Sequence, residues 1–420
     1  MIGILSFIFV LGTAILIHEI GHFIAAGKFG VLRHEFSIGF GPALWKKRKG
    51  ETLYAIRAIP LGGYVMMAMG EEYEDALIKE GDQIGILLNN RGQVEKIYLD
   101  PDPNGGYLMG TVKAVDLYRE LTLTLTLSDQ TVKNYGVCKT AFYVDSKKDA
   151  MQAIAPVERS FASKSKFARF SIMIAGALMN FILAFVFVLI VGLIQGEPIQ
   201  TNRLSLIEEG APAYLAGLEV GDTIIQYGDY TITNGAELFA AIRATHDVAS
   251  ITFIRNDETH YTVITPELNE QGDGTLISRI GIDMESTFDR SFTARWRFSI
   301  NQFQSGFALI GLTLQMLSTG EAGVGDLAGP VGIAVMTSQV AALGIFPLLL
   351  FASFMNINVG IVNLLPIPAM DGGKIVFVLI EAIIGRPVSR KIEGYVHMVG
   401  FALLITLFVF VTFNDLLRLF

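Results

Sequence analysis

The string His18-Glu19-Ile20-Gly21-His22 interrupts an apolar run that starts at Met1 and carries no charge before His18. On a helix, residues four apart share a face, so the two imidazoles can reach one ion while Glu19 stands beside it to take a proton from water. That is the chemistry of metal-assisted hydrolysis. An ionisable group inside an apolar helix costs roughly 2.5–3.5 kcal/mol on insertion scales and is seldom kept without a role. Zn2+ suits this spacing, and a hydrolytic zinc site takes three protein ligands with a fourth position open for water. The lone cysteine, Cys138, rules out a thiolate cluster, so the third ligand is another His or a carboxylate.

His34, His246 and His260 lie in polar segments, and His397 stands near the start of the last apolar run. The best-placed carboxylate is Asp371, in Asn363-Leu-Leu-Pro-Ile-Pro-Ala-Met-Asp-Gly-Gly373. Pro366 and Pro368 break the helix just before it, which frees backbone and lets a side chain turn inward. Read alone, the same string is more often a helix-ending Asp-Gly turn at the bilayer surface. A second class of function stays open on these residues: an ion or metal transporter using His18, Glu19, His22 and Asp371 as a relay.

The elements that must carry these residues follow from composition. Of 420 residues, 51% are hydrophobic and 17% charged, against about 25% charged in an ordinary soluble domain. The apolar residues collect in long uncharged runs, as in an integral membrane protein with soluble modules. A net charge of -8 argues against a nucleic-acid partner. The runs predict a first span at 1–28, a second at 165–196, an amphipathic or re-entrant segment at 290–344, a broken third span at 345–385 and a last span at 394–416. A cleavable signal peptide does not fit the first run, which lacks a basic start and carries two His and a Glu. Lys28, Arg33, Lys46, Lys47, Arg48 and Lys49 follow the first span, and Arg159, Lys164, Lys166 and Arg169 precede the second. The positive-inside rule therefore puts the segment between them in the cytoplasm, and both termini and residues 200–327 outside.

Between the spans, residues 70–150 open on Glu71, Glu72, Glu74 and Asp75. They continue with period-2 strands such as Leu121-Thr-Leu-Thr-Leu-Thr-Leu127 and a turn at Asp102-Pro-Asn-Gly-Gly106, which predicts a small β-rich cytoplasmic insertion. Residues 203–285 contain Gly217-Leu-Glu-Val-Gly-Asp222 between a short helix and a strand, and they resemble a circularly permuted PDZ domain. Such a module adds an extended peptide to an open sheet edge, so its groove is expected to receive peptide C-termini.

Taken together, His-Glu-x-x-His in the first span, Asn-x-x-Pro-x-Pro-x-x-Asp-Gly in the third and a PDZ-like module between the second and third resemble the site-2 protease family of intramembrane zinc metalloproteases. The likeness is close to the bacterial regulator-of-sigma-E type and covers the whole chain. It implies an α-helical membrane protein with about four spans, a membrane-associated β-loop at 29–69, the β-rich insertion and one extracytoplasmic PDZ domain. By the same resemblance, His18, His22 and Asp371 are the zinc ligands, Glu19 is the general base, and Asn363 holds the substrate backbone. Gly62, Gly63 and Tyr64 of the β-loop motif Ile59-Pro-Leu-Gly-Gly-Tyr-Val65, with Pro366 and Pro368, are implied to line the substrate path. Phe36-Ser-Ile-Gly-Phe-Gly41 and Gly329-Pro-Val-Gly-Ile333 resemble further family signatures. The implied reaction is zinc-dependent endopeptidase cleavage of single-span membrane proteins after a prior cut, the substrates being anti-sigma factors, remnant signal peptides or pheromone precursors. The implied location is a bacterial cell membrane, multi-pass, in contact with lipid, with the active site towards the cytoplasm. One PDZ domain and the insertion look more like the Gram-positive members. Gly176-Ala-Leu-Met-Asn180 departs from the family's Gly-Pro-x-Met-Asn, and Met370 stands where Leu usually precedes Asp-Gly.

Overall fold

A computed structural model describes residues 2–70, 77–102, 105–145, 147, 150–270 and 276–419. Glu71, Glu72, Glu74 and Asp75, and the Pro103-Asn104 part of the expected turn, lie outside the described residues. The helices are α1 (Ile2–Lys28), α2 (Lys166–Gln195), α3 (Pro212–Leu215), α4 (Gly235–Ala244), α5 (Phe292–Thr319), α6 (Pro330–Ala342), α7 (Ile345–Leu364), α8 (Asp371–Ile384) and α9 (Arg390–Leu419). Among the described residues, α1, α2, α7 and α9 are long and apolar enough to cross a membrane, whose core of about 30 Å takes about 20 residues. The chain divides into two compact units, residues 1–188 with 303–420 and residues 189–302.

In the first unit, β1 (Arg33–Lys49) and β2 (Thr52–Met67) follow α1. Both strands bend, so residues 35–38 pair with 53–56 on one side and with 63–66 on the other. Next come β3 (Gln83–Leu88), β4 (Val94–Tyr98), β5 (Leu108–Asp116), β6 (Thr122–Leu127), β7 (Val132–Asp145) and β8 (Ala150–Ala153). Their order β4-β3-β5-β6-β7-β8, with a further β4–β7 pairing, closes five of them into a ring. Closure removes the exposed edges that would otherwise invite aggregation. The alternation in β6 now has its reason: Leu123 and Leu125 are fully buried in the barrel core, while Thr122, Thr124 and Thr126 face outward and stay partly exposed.

Small residues set the helix crossings. A Cβ on Gly21 would lie 2.2 Å from Ala175 O and 3.0 Å from Gly176 Cα, so α1 and α2 meet there backbone to backbone. Gly3 likewise admits Ser338 of α6, and Gly360 of α7 admits the Phe181 ring. Without a hydrophobic force between helices in lipid, such close van der Waals approach is what holds them together.

The stretch from 290 to 344 comprises two helices, α5 and α6, separated where Gly320, Gly323, Gly325 and Gly329 cluster. The end of α9 clasps this break. The buried Asp415 carboxylate accepts from Gly329 N at 3.1 Å and Gly332 N at 2.7 Å, at the N-terminus of α6. Asn414 donates to Gly325 O at 2.6 Å, and Arg418 to Asp326 at 3.1 Å. A carboxylate suits amides that have no partner within their own helix. Asp415→Ala is expected to lower stability by about 2–3 kcal/mol, since one buried and one partly buried amide lose a charged acceptor, and Asp415→Asn by less. Thermal unfolding in detergent measures it; equal melting of Asp415→Ala and wild type would refute the clasp.

The second unit is built on β9 (Glu197–Ile207), β10 (Thr223–Tyr227), β11 (Tyr230–Thr231), β12 (Ala249–Arg255), β13 (Glu258–Ile264), β14 (Glu267–Glu270), β15 (Leu276–Arg279) and β16 (Ile282–Asp289). A sheet ordered β13-β12-β10-β9-β16, with β11 against β10, packs α3 and α4 over a core that includes Leu204, Tyr227, Leu238 and Ile251. The Gly-Leu-Glu-Val-Gly-Asp turn is held by Arg255. Its guanidinium donates to both oxygens of the buried Asp222 at 2.7 Å, to Glu219 at 2.8 Å and to Gly217 O at 2.9 Å. Gly217 and Gly221 take left-handed backbone there, with φ +75 and +98. The Asp of this motif is therefore a structural anchor.

Candidate metal centre

α1 turns His18 and His22 inward on one face, both under a tenth exposed. Asp371 arrives from far along the chain as the first residue of α8, because Pro366 and Pro368 end α7 and start a turn. Gly372 and Gly373 let that turn fold back: a Cβ on Gly372 would lie 2.1 Å from Leu365 O, and one on Gly373 2.6 Å from Ile367 O. The result brings Asp371 Oδ2 to 3.1 Å from His18 Nε2 and 2.9 Å from His22 Nε2, with the two Nε2 atoms 3.2 Å apart. These three are the described His, Cys, Asp and Glu residues that could together hold a metal ion.

The donor set fits zinc. Two imidazoles and one carboxylate form the ligand set of a hydrolytic site, and tetrahedral bonds of 2.0–2.1 Å need ligand atoms about 3.3 Å apart, a few tenths beyond the distances here. The outer partners select the right tautomers. His22 Nδ1–H donates to Ile172 O at 2.8 Å, so Nε2 keeps its lone pair for a metal. The fully buried Asn180 amide lies 3.5 Å from His18 Nδ1, and among the described residues its Oδ1 has no hydrogen-bond donor. A half-turn of the amide would give Oδ1 the Nδ1–H of His18 and free Nε2 in the same way. Gly176 makes the cradle: a Cβ there would lie 2.5 Å from His22 Nε2 and 2.8 Å from His18 Nε2.

Glu19 is outside the ligand cluster. Its carboxyl takes a hydrogen bond from the Val65 backbone on β2, and its Cγ lies 3.6 Å from the place of a Gly63 Cβ. Glu19 is thus beside an edge of the β1–β2 sheet, and among the described residues the 63–67 stretch pairs with β1 alone. Tyr64 OH donates to the buried Glu35 carboxylate at 2.8 Å, which also accepts from Arg57 at 2.6 Å and stiffens this edge. Gly62, with φ +146, leaves room for the Phe40 ring, 2.2 Å from where its Cβ would stand. Asn363 is not brought into the cluster; it donates to Val359 O at 2.9 Å on its own helix. His34 is also elsewhere, buried in β1, where desolvation and the Arg159 charge push its pKa down to about 4 and keep it neutral. Ile172, Gly176 and Asn180, all on α2, take part in the site without having been picked out as site residues from sequence. The only trace of them was the Gly-x-x-x-Asn spacing at 176–180.

The chain matches peptidase family M50 over residues 6–407. It is 38% identical to the zinc metalloprotease RasP of Oceanobacillus iheyensis, over 100% of both chains. It is 37% identical to that of Geobacillus kaustophilus, over 100% of this chain and 98% of the relative. Against the regulator of sigma-W protease RasP of Bacillus subtilis it is 35% identical over 99% of each. Among solved structures, the PDZ domain of an SdrC-like protein from Listeria monocytogenes aligns with 20% of this chain and 87% of its own at 18% identity, with a TM-score of 0.17 that carries no argument. With matches that run from end to end, the chain belongs to peptidase family M50, the site-2 proteases, and is a zinc metalloendopeptidase of regulated intramembrane proteolysis.

Proposed function

We propose that His18, His22 and Asp371 hold the zinc, that Glu19 is the general base, and that the edge of β2 receives the substrate. The observation that carries this is the meeting of three ligand atoms from α1 and α8 within 4.8 Å of one another, with Glu19 beside them. When bound, zinc supplies the Lewis acidity that polarises the scissile carbonyl and acidifies water. Glu19, held by the Val65 amide, takes the proton of the attacking water and returns it to the leaving amine. A helical substrate has no free peptide groups. Unwinding it onto residues 63–65 as an added strand satisfies its backbone while the scissile bond reaches the site. Among the described residues the edge beside Glu19 pairs with β1 alone, which supports this path, with Gly62, Gly63 and Tyr64 on the strand. Pro366 and Pro368 shape the turn into Asp371, and Asn363 is assigned to the substrate backbone by the family likeness.

Basic residues flanking α1 and α2 support a cytoplasmic face for the first unit's hairpin and barrel, and water entry from that side. The second unit is read as an extracytoplasmic PDZ module that takes peptide C-termini and excludes uncut ectodomains. The substrate is a single-span protein already trimmed outside. The name of the Bacillus subtilis relative, regulator of sigma-W protease, supports a membrane anti-sigma factor. The relay reading of the same residues finds no support in the comparisons.

The test is zinc content together with cleavage in liposomes. Wild type is expected to cut a trimmed single-span reporter and leave one with its ectodomain intact. Asp371→Ala is expected to lose at least nine-tenths of its zinc and all cleavage. Full zinc in Asp371→Ala would remove it from the ligand set, and equal cutting of both reporters would remove the filter.

A further inference from the structure

The carboxylate of Asp371 depends on the turn before it, and that turn is held by a side chain from another helix. Ile367 N donates to Leu365 O at 2.6 Å and Met370 N to Ile367 O at 3.2 Å, which folds the chain sharply between α7 and α8. Ala369, two residues before Asp371, has φ +74. The other described non-glycine residues with positive φ are Leu121, Gln130, Asn256 and Asp257, all in turns of the two β-rich modules. A residue with a Cβ keeps such a backbone only where its surroundings impose it.

What imposes it here is α9. The Ala369 amide donates to His397 Nδ1 at 2.9 Å. One turn on, Gly400 brings the α9 backbone against the same stretch, and a Cβ there would lie 2.3 Å from Pro368 Cβ. Pro366 and Pro368 have no N–H, so in this link the Ala369 amide is a donor without a place in either helix, and His397 supplies its acceptor. Since Nδ1 accepts, the ring carries its hydrogen on Nε2, which faces Glu393 at 3.8 Å. The Phe377 ring of α8 packs at 5.5 Å against the imidazole and limits its rotation.

We infer that His397 is a positioning residue for the zinc site: its Nδ1 takes the Ala369 amide and so fixes the Pro-Ala-Met turn that delivers Asp371 to His18 and His22. The inference rests on the reading of Asp371 as a ligand. Losing the acceptor lets Ala369 relax towards ordinary backbone angles and moves the carboxylate two residues later.

Two substitutions separate an acceptor from a filler. Asn puts its Oδ1 where Nδ1 stood, whereas Gln is nearer to His in volume but carries its oxygen one bond further out. Zinc dissociation constants of the purified proteins are measured alongside Asp371→Ala. His397→Gln is expected to bind zinc 10–100-fold more weakly, as when an outer partner of a metal ligand is lost, and His397→Asn close to wild type. A packing role predicts the reverse order. If Gln binds as wild type, or Asn binds as weakly as Gln, while Asp371→Ala loses zinc, this inference alone falls. If Asp371→Ala keeps its zinc, the ligand reading falls and takes the inference with it.

Discussion

Glu19→Gln is expected to keep its zinc and to lose cleavage of a single-span reporter by at least about 10³-fold, near the upper part of what a general base contributes. The amide matches the carboxylate in shape, so α1 and its packing are undisturbed. It can still accept the hydrogen bond from Val65, but it has no basic oxygen to take a proton from water. Because Glu19 stands outside the His18, His22 and Asp371 cluster, metal content should not change. The measurement pairs metal analysis with reporter cleavage in liposomes. Undiminished cutting by the variant would sink the assignment of the base, and loss of zinc would show that Glu19 belongs to the ligands.

A methyl group on Gly176 should do as much harm as removal of a ligand. In Gly176→Ala the new Cβ would lie 2.5 Å from His22 Nε2, 2.7 Å from His18 Cε1 and 2.8 Å from His18 Nε2, all well inside van der Waals contact. Neither ring can step aside cheaply. His22 is tied through Nδ1 to Ile172 O, and the helices behind the rings already touch at Gly21. By propensity alone, Ala in place of Gly favours a helix by about 1 kcal/mol, so any loss must come from the clash. Zinc affinity is expected to fall 100-fold or more, beyond the 10–100-fold typical of an outer partner, because the metal-binding atoms themselves are displaced. Gly12→Ala on α1 serves as control, since its Cβ would meet nothing within 4 Å. Isothermal titration of the metal-free proteins decides: unchanged affinity in Gly176→Ala would mean that the two helices can part without cost.

Much of this protein could be read from local pattern. Charged groups in an apolar run are costly enough to be conspicuous, which made His18, Glu19 and His22 visible, and the two prolines ahead of Asp371 marked a broken span. Period-2 alternation foretold β6. These signals are local because helix and strand periods, and the cost of burying charge, act within a few residues.

The site itself was decided elsewhere. His22 and Asp371 are 349 residues apart and meet at 2.9 Å because α1, α2, α7 and α8 pack through glycines that carry no pattern of their own. The Ile172 carbonyl, the Gly176 cradle, the Asn180 amide and the His397 acceptor each sit opposite a partner that sequence spacing could not name. The same holds for the β2 edge beside Glu19. Which residues face one another across a helix crossing depends on its angle, depth and rotation. Those are set by the sum of many small contacts over the whole bundle, and one sequence read along its length does not contain that sum.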